Sequence, residues 1–252
     1  MRYEGKTAVV IGGTHGMGLA TAQRLVDGGG DVLVTGSNPA NVLAAAAVLG
    51  ARRAVRSDVT RSEDIAALAT AAGARLGGLD AVFVFAGVAE LDPFDAVDEA
   101  AFDRHVAINA RGVFFTLQAL APLVRDGGAI VVTTVTPGTA SPGMAAYMAS
   151  KAAVRAYARV MAAELVGRGV RVNAVAPGFI DTPTLGIAGM SAEEREAFSR
   201  IGDAATPMRR HGTADEVARA ALFLAFEATF TTGVELAVDG GLSEIEAPPA
   251  AA

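Results

Sequence analysis

Apolar residues along this chain come in short unbroken runs, not in strict alternation. Thr7–Ile11 (TAVVI), 31–35 (DVLVT), 80–85 (DAVFVF), 129–135 (AIVVTTV), 170–176 and 234–238 each predict a strand, and 51–56 a weaker one. Between them the pattern changes to helical spacing at 17–26, 41–49, 65–75, 101–123, 144–166 and Ala214–Phe226, with Ser62-Glu63-Asp64 as a cap-like opening to the third helix. Strands that are apolar throughout must be covered on both faces. Alternating with helices, they predict an α/β fold: a doubly wound, Rossmann-type parallel sheet of about seven strands.

The rhythm breaks at 183–206, which holds Gly186, Gly189, a short charged helix candidate at 191–199 and Pro207 just beyond. A long irregular insertion of this kind predicts a substrate lid. Residues 1–246 are expected to form a single domain, and the tail 247–252 (APPAAA) to be disordered.

Composition narrows the function classes. Twenty-seven acids against 21 bases give a net charge of −6, and no basic block exceeds a pair such as Arg52-Arg53, so a nucleic-acid partner has little electrostatic support. There is no cysteine, hence no disulfide or thiolate chemistry, and three scattered histidines argue against zinc or another metal. Residues 1–6 lack the pattern of a signal peptide, and no apolar run reads as long enough to span a membrane. A cytoplasmic protein is the expectation.

Two stretches carry candidate chemistry. After the first strand, Gly12-Gly13-Thr14-His15-Gly16-Met17-Gly18 opens a helix. A glycine turn between strand and helix lets backbone N–H groups approach a pyrophosphate at the positive helix end. The second strand ends in Gly36-Ser37-Asn38 with no acid to bind adenosine ribose hydroxyls, although no arginine follows either. His15 could add partial positive charge, and NADP(H) is favoured over NAD(H). Asp58, after the third strand, either meets the adenine or caps its own turn.

The second stretch is Tyr147-Met148-Ala149-Ser150-Lys151. On a helix this spacing stacks phenol and ammonium on one face, with Cβ atoms ~5–6 Å apart. A cation beside the phenol favours phenolate and moves a pKa of ~10 toward the working range.

Taken together, Gly12/Gly16/Gly18, Asp58-Val59, Ala86-Gly87, Ile108-Asn109, Tyr147/Lys151, Pro177-Gly178 with Thr182, and Val238-Asp239-Gly240-Gly241 resemble the short-chain dehydrogenase/reductase family over almost the whole chain. The resemblance implies a nicotinamide cofactor, a small-molecule carbonyl or alcohol substrate, and a homotetramer or dimer packed through the two long helices and the last strand. It implies Tyr147 as acid/base, Lys151 lowering its pKa and binding the nicotinamide ribose, and Asn109 holding a water that relays protons to Lys151. Pro177 and Gly178 would line the nicotinamide face, and Ile180 (backbone) and Thr182 would meet its carboxamide.

Three departures stand out. Phe85 replaces the asparagine usual before Ala86-Gly87, and Ile11 replaces the threonine usual before Gly12. Both exchange a polar tie for apolar bulk and are read as linked. The family's active-site serine at the end of the fifth strand is also missing. Counting back 13 residues from Tyr147 gives Thr134; matching forward along the strand gives Val135. Thr134 is the first choice for the hydroxyl and Thr136 the second, with an apolar position as the other outcome. The expected activity is a ketoreductase on a hydrophobic or polyketide-like substrate, in a pocket flanked by Met144, Phe94, Phe179, Leu185, Ile187 and Met190. The alternatives are a cofactor-binding sensor or assembly protein with little catalysis, and a dehydratase or epimerase on the same scaffold.

Overall fold

The computed structural model describes residues 1–136, 141–183 and 191–245. In chain order its elements are β1 (Thr7–Ile11), α1 (Gly16–Asp27), β2 (Asp31–Gly36), α2 (Pro39–Leu49), β3 (Ala54–Arg56), α3 (Ser62–Leu76), β4 (Leu79–Val84) and α4 (Glu99–His105). A π-helical segment, Val106–Gly112, leads into α5 (Val113–Leu120). Then follow β5 (Val124–Thr133), α6 (Ala145–Leu165), β6 (Arg171–Pro177), β7 (Ile180–Asp181), α7 (Ala192–Ala205), β8 (Gly212–Thr213), α8 (Ala214–Phe226) and β9 (Glu235–Val238).

Seven strands form one parallel sheet in the order β3-β2-β1-β4-β5-β6-β9. The period of two along each strand divides the core into two layers. Val9, Ile11, Val82, Val84, Ile130, Val132 and Val172 face α3, α5 and α6. Their neighbours Ala8, Val10, Ala81, Phe83, Ala129 and Val131 face α1, α2 and α8. Continuous apolar runs are therefore required in β1, β2, β4 and β6, whose residues are buried on both sides over most of their length.

The structure revises several sequence expectations. The weak strand at 51–56 is a 3-10 turn, Ala51–Arg53, followed by a three-residue strand. The long helix at 101–123 is interrupted by the π-helical turn around Asn109. The fifth strand ends at Thr133, before Thr134. The lid candidate at 191–199 is the longer helix α7, started by a capping box between Ser191 and Glu194. The expected lid residues Leu185, Ile187 and Met190 and the tail at 247–252 lie outside the described residues. By length and composition, Glu99–Leu123, 25 residues with mean hydropathy 1.3, does meet the mark for crossing a bilayer. In this fold it is a layer helix, with Val113, Leu117 and Leu120 buried against the sheet.

Ile11 and Phe85 are not packed together. Ile11 belongs to the layer under α3, α5 and α6, whereas Phe85 packs on the opposite layer. The strand tie at this point is made by backbone: Phe85 N–H donates to the Ile11 carbonyl at 2.8 Å. Each substitution is thus accommodated by its own layer, and the expected linkage has no contact behind it.

Candidate active site

The glycine turn after β1 is shaped by contact. Gly12 has φ +73°, and a Cβ there would stand 2.5 Å from Ala86 N and 2.8 Å from Phe85 C. A side chain at Gly18 would collide with the Gly12 carbonyl. The turn therefore lies flat over the ends of β1 and β4. Helix α1 then begins at His15 with no side-chain cap and no acid in its first turn. Asn38, Asp98, Ser191 and Thr213 cap α2, α4, α7 and α8, whereas α3 and α6 start, like α1, without a side-chain cap. An uncapped helix start with open N–H groups fits a pyrophosphate. Met17 packs partly into the core, Thr14 is buried, and Thr182 approaches Gly16, its Cγ2 3.5 Å from where a Cβ would be. Thr182 is thereby placed above the glycine turn.

At the adenosine end the Thr14 hydroxyl stands 2.6 Å from a Cβ position on Gly36. The Asn38 side-chain carbonyl accepts from Ala40 N–H at 2.8 Å and Asn41 N–H at 3.3 Å, so it serves as the cap of α2. Asp58 takes the turn role: its Oδ1 accepts from Thr60 N–H at 2.9 Å and Thr60 Oγ1 at 2.7 Å. Burial works to raise its pKa, but these hydrogen bonds with Arg56 and Arg61 nearby outweigh it and hold the carboxyl below its ordinary value. Val59 packs on Gly112, where a Cβ would meet the Val59 carbonyl at 2.6 Å.

At the other end, Pro177 closes β6 and its carbonyl accepts from Thr136 Oγ1 at 2.7 Å. Gly178 lies against Asp239, whose Cα would be 2.8 Å from an added Cβ. Asp239 is itself buried and accepts from Gly241 N–H, Ser243 N–H and Ser243 Oγ. The Val238–Gly241 signature is therefore the prop behind Gly178. Ile180 is buried in β7, which pairs with β8 at Gly212.

Tyr147 and Lys151 lie on the first two turns of α6. Asn109 and two residues not singled out from sequence, Ser150 and His105, pack around that segment. The Asn109 Nδ2 donates to the Val88 carbonyl at 2.8 Å and to Ser150 Oγ at 3.0 Å, and its Oδ1 accepts from Val88 N–H at 2.8 Å. Ser150 Oγ in turn donates to the Tyr147 carbonyl at 2.6 Å. The π-helical turn so hooks β4's exit loop to the Tyr147–Lys151 segment of α6. Asn109's side-chain amide is thereby committed to Val88 and Ser150. His105 is buried, its ring 6.4 Å from the Tyr147 ring and edge-on. Ala101's carbonyl lies 2.8 Å from His105 Nδ1, and Glu90 N–H donates to Nε2 at 3.1 Å, which fixes the neutral tautomer with hydrogen on Nδ1.

Lys151 is buried, and its Nζ donates to the Thr133 carbonyl at 3.1 Å. Burial pulls its pKa down to about 8 and pushes the Tyr147 phenol up to about 12. The expected lowering of the phenol by Lys151 is thus overridden by desolvation. Across the neutral range Tyr147 carries its proton.

The hydroxyl expected at Thr134 is committed elsewhere. Thr134 is buried, and its Oγ1 donates to the Val175 carbonyl at 3.2 Å and to Glu235 Oε1 at 2.6 Å. Arg155 Nε stands 2.9 Å from the other Glu235 oxygen. Arg155 is eight residues beyond Tyr147, ~12 Å farther along the helix. Thr134 therefore belongs to the seam between α6 and β9, not to the substrate oxygen. Thr136 is tied to Pro177, and Val135 is half-buried between them. Of the expected pocket wall, Phe94 is 85% exposed, while Phe179 packs on Phe198 of α7 at 5.4 Å and on His211 at 5.6 Å.

Comparison with known proteins agrees with this fold. Residues 12–243 match the family described as enoyl-(acyl carrier protein) reductase. The oxidoreductase asL5 of Sarocladium schorii is 36% identical, over 97% of this chain and 98% of its own length. Galactitol 2-dehydrogenase (L-tagatose-forming) of Cereibacter sphaeroides is 38% identical, over 95% and 96%. The solved short-chain dehydrogenase/reductase of Serratia marcescens superposes with a TM-score of 0.86 at 28% identity, over 96% of this chain and all (100%) of that one.

Proposed function

Since the chain belongs to the short-chain dehydrogenase/reductase family, an oxidoreductase family that uses a nicotinamide cofactor, we propose that it is an NADP(H)-dependent ketoreductase. Its substrate is a hydrophobic or polyketide-like ketone or the corresponding secondary alcohol. The observation that carries this reading is the hook from Asn109 through Ser150 to the Tyr147 carbonyl, which anchors the first turn of α6, where helical spacing sets the phenol and Lys151 on one face.

A bound nicotinamide supplies the hydride that reaches the carbonyl carbon. Tyr147 gives its phenolic proton to the carbonyl oxygen as that oxygen gains charge, so the alcohol leaves neutral and the phenolate is reprotonated from solvent. With burial raising the phenol to about 12, the side chain keeps its proton at neutral pH, the form that reduction requires. Lys151, beside the exposed Gly87, would hold the nicotinamide ribose and would supply positive charge to the phenolate as it forms. The aromatic pair Phe179–Phe198 supports an apolar substrate held under α7.

Exposed Phe114, Phe115 and Val160 on α5 and α6 support self-association through these helices. With no cysteine, the chain has no need of an oxidising compartment, in keeping with a cytoplasmic enzyme.

The test is a panel of ketones with NADPH and NADH, for wild type and Tyr147→Phe. Ketone-dependent NADPH oxidation by wild type, lost in Tyr147→Phe while NADPH binding persists, is expected. The engagement of Thr134 with Glu235 favours a second reading, a cofactor-binding protein with little turnover. Tight NADPH binding with no turnover of any ketone would select it.

A further inference from the structure

The chain after β2 offers no cation in sequence, yet the fold supplies one. β3 runs beside β2 with Arg56 opposite Gly36. Arg56 Nε donates to the Ser37 carbonyl at 3.2 Å. This bond holds the guanidinium at the turn where a dinucleotide's adenosine ribose lies in a doubly wound fold. The side chain is 52% exposed, with Nη1 turned toward Asp64 at 3.8 Å.

The surroundings suit an anion. Gly36 contributes no carboxylate, and the Thr14 hydroxyl occupies the space beside it. Two acids lie near Arg56, Asp64 at 3.8 Å from Nη1 and Asp58, and both are already engaged, Asp58 by Thr60. Asp64 Oδ2 accepts from Asp58 N–H at 2.9 Å, and Arg61 Nε stands 3.6 Å from Asp64 Oδ1. The Asn38 carbonyl oxygen faces into α2, which turns the amide NH2 the other way. Ser37 is exposed and brings a hydroxyl to the same turn.

We propose that Arg56 is the residue that reads the 2′-phosphate of NADP(H), with the Ser37 hydroxyl and the Asn38 amide as its neutral donors. The inference rests on the NADP(H) reading and goes beyond it by naming a specificity-determining side chain on β3. A guanidinium anchored through Nε can offer its Nη pair to phosphate oxygens, a geometry that lysine does not reproduce.

The test uses two probes that differ only in the 2′-phosphate, adenosine 2′,5′-bisphosphate and 5′-AMP, titrated calorimetrically into wild type, Arg56→Met and Arg56→Lys. Wild type is expected to prefer the bisphosphate by about 10-fold or more, as one charge-assisted contact to phosphate would give. Arg56→Met should erase that preference with 5′-AMP affinity kept, and Arg56→Lys should restore only part of it. If Arg56→Met keeps the preference, the assignment of Arg56 fails while the NADP(H) reading stands. If Arg56→Met loses both probes equally, Arg56 merely shapes the turn through Ser37, and the assignment also fails. If wild type itself shows no preference, the NADP(H) reading falls and takes the assignment with it.

Discussion

The Lys151 ammonium stands 3.0 Å from where a Cβ on Gly87 would be, and Asn109 Oδ1 stands 3.3 Å from the same point. Gly87 is therefore the notch through which Lys151 reaches the end of β5. Gly87→Ala should push Nζ off the Thr133 carbonyl while the far end of the lysine moves aside, leaving the fold intact. A displacement of this size near reacting groups should lower kcat by roughly 10- to 100-fold. Steady-state kinetics beside circular dichroism checks it; wild-type kcat in Gly87→Ala would remove Gly87 from the machinery.

Lys151 should also mark stability against pH. Its pKa falls from 10.5 to about 8 on folding because the ammonium is buried. Between those values the folded chain binds fewer protons than the unfolded one, so stability rises with pH across that window. Below the folded value the buried charge carries its full cost. Lys151→Met should accordingly be more stable than wild type at neutral pH, by at most ~3 kcal/mol, with the gap closing as pH rises through the window. Urea melts over that range measure it, and a gap independent of pH would contradict the burial argument.

Tyr147 runs the other way. Its folded value of about 12 exceeds the model-compound value of 10.0, so its contribution is fully present below 10.0 and is lost as pH rises toward about 12. Tyr3 and Tyr157 are raised as well, each chiefly by burial. Since the chain has three tyrosines, tyrosinate absorbance in the ligand-free protein should appear only above the usual range. A tyrosine ionising at its ordinary pKa before unfolding would refute this.

Thr134→Val removes the donor to Glu235 and Val175. Leaving a buried carboxylate short of a partner should cost about 1–3 kcal/mol of stability. The effect should be read in the melt, with little change in kcat. A collapse of kcat at unchanged stability would return Thr134 to the substrate oxygen.

Phe114 and Phe115 meet edge to face at 5.4 Å on the outer side of α5, and Arg111 lies 5.1 Å over the Phe115 ring. Phe115→Glu places a carboxylate on that apolar face and should shift the protein to a smaller species in sedimentation velocity. An unchanged distribution would exclude α5 from the interface.

The sheet was legible because its signal is local. Strands buried on both faces must be apolar throughout, and runs such as Thr7–Ile11 announce themselves. The glycine turn and the Tyr147–Lys151 spacing are equally local, since each depends on a backbone turn or one helical repeat. The helix at 101–123 was less legible: a π-helical turn leaves the apolar pattern nearly unchanged, and only the Asn109–Val88 bonds reveal it.

The sequence by itself determined the parallel α/β architecture, the glycine turn and the candidate acid/base pair, all properties of hydrophobic periodicity and short-range geometry. Tertiary structure decided what depends on residues far apart in the chain. It sent Thr134 to Glu235, 101 residues away, because the order of β5, β6 and β9 brings those ends together. It put Ile11 and Phe85 on opposite layers, and it carried Arg56 to Ser37 by pairing β3 with β2. It also set the protonation of Tyr147 and Lys151, since desolvation is a property of the packed environment and not of residue spacing.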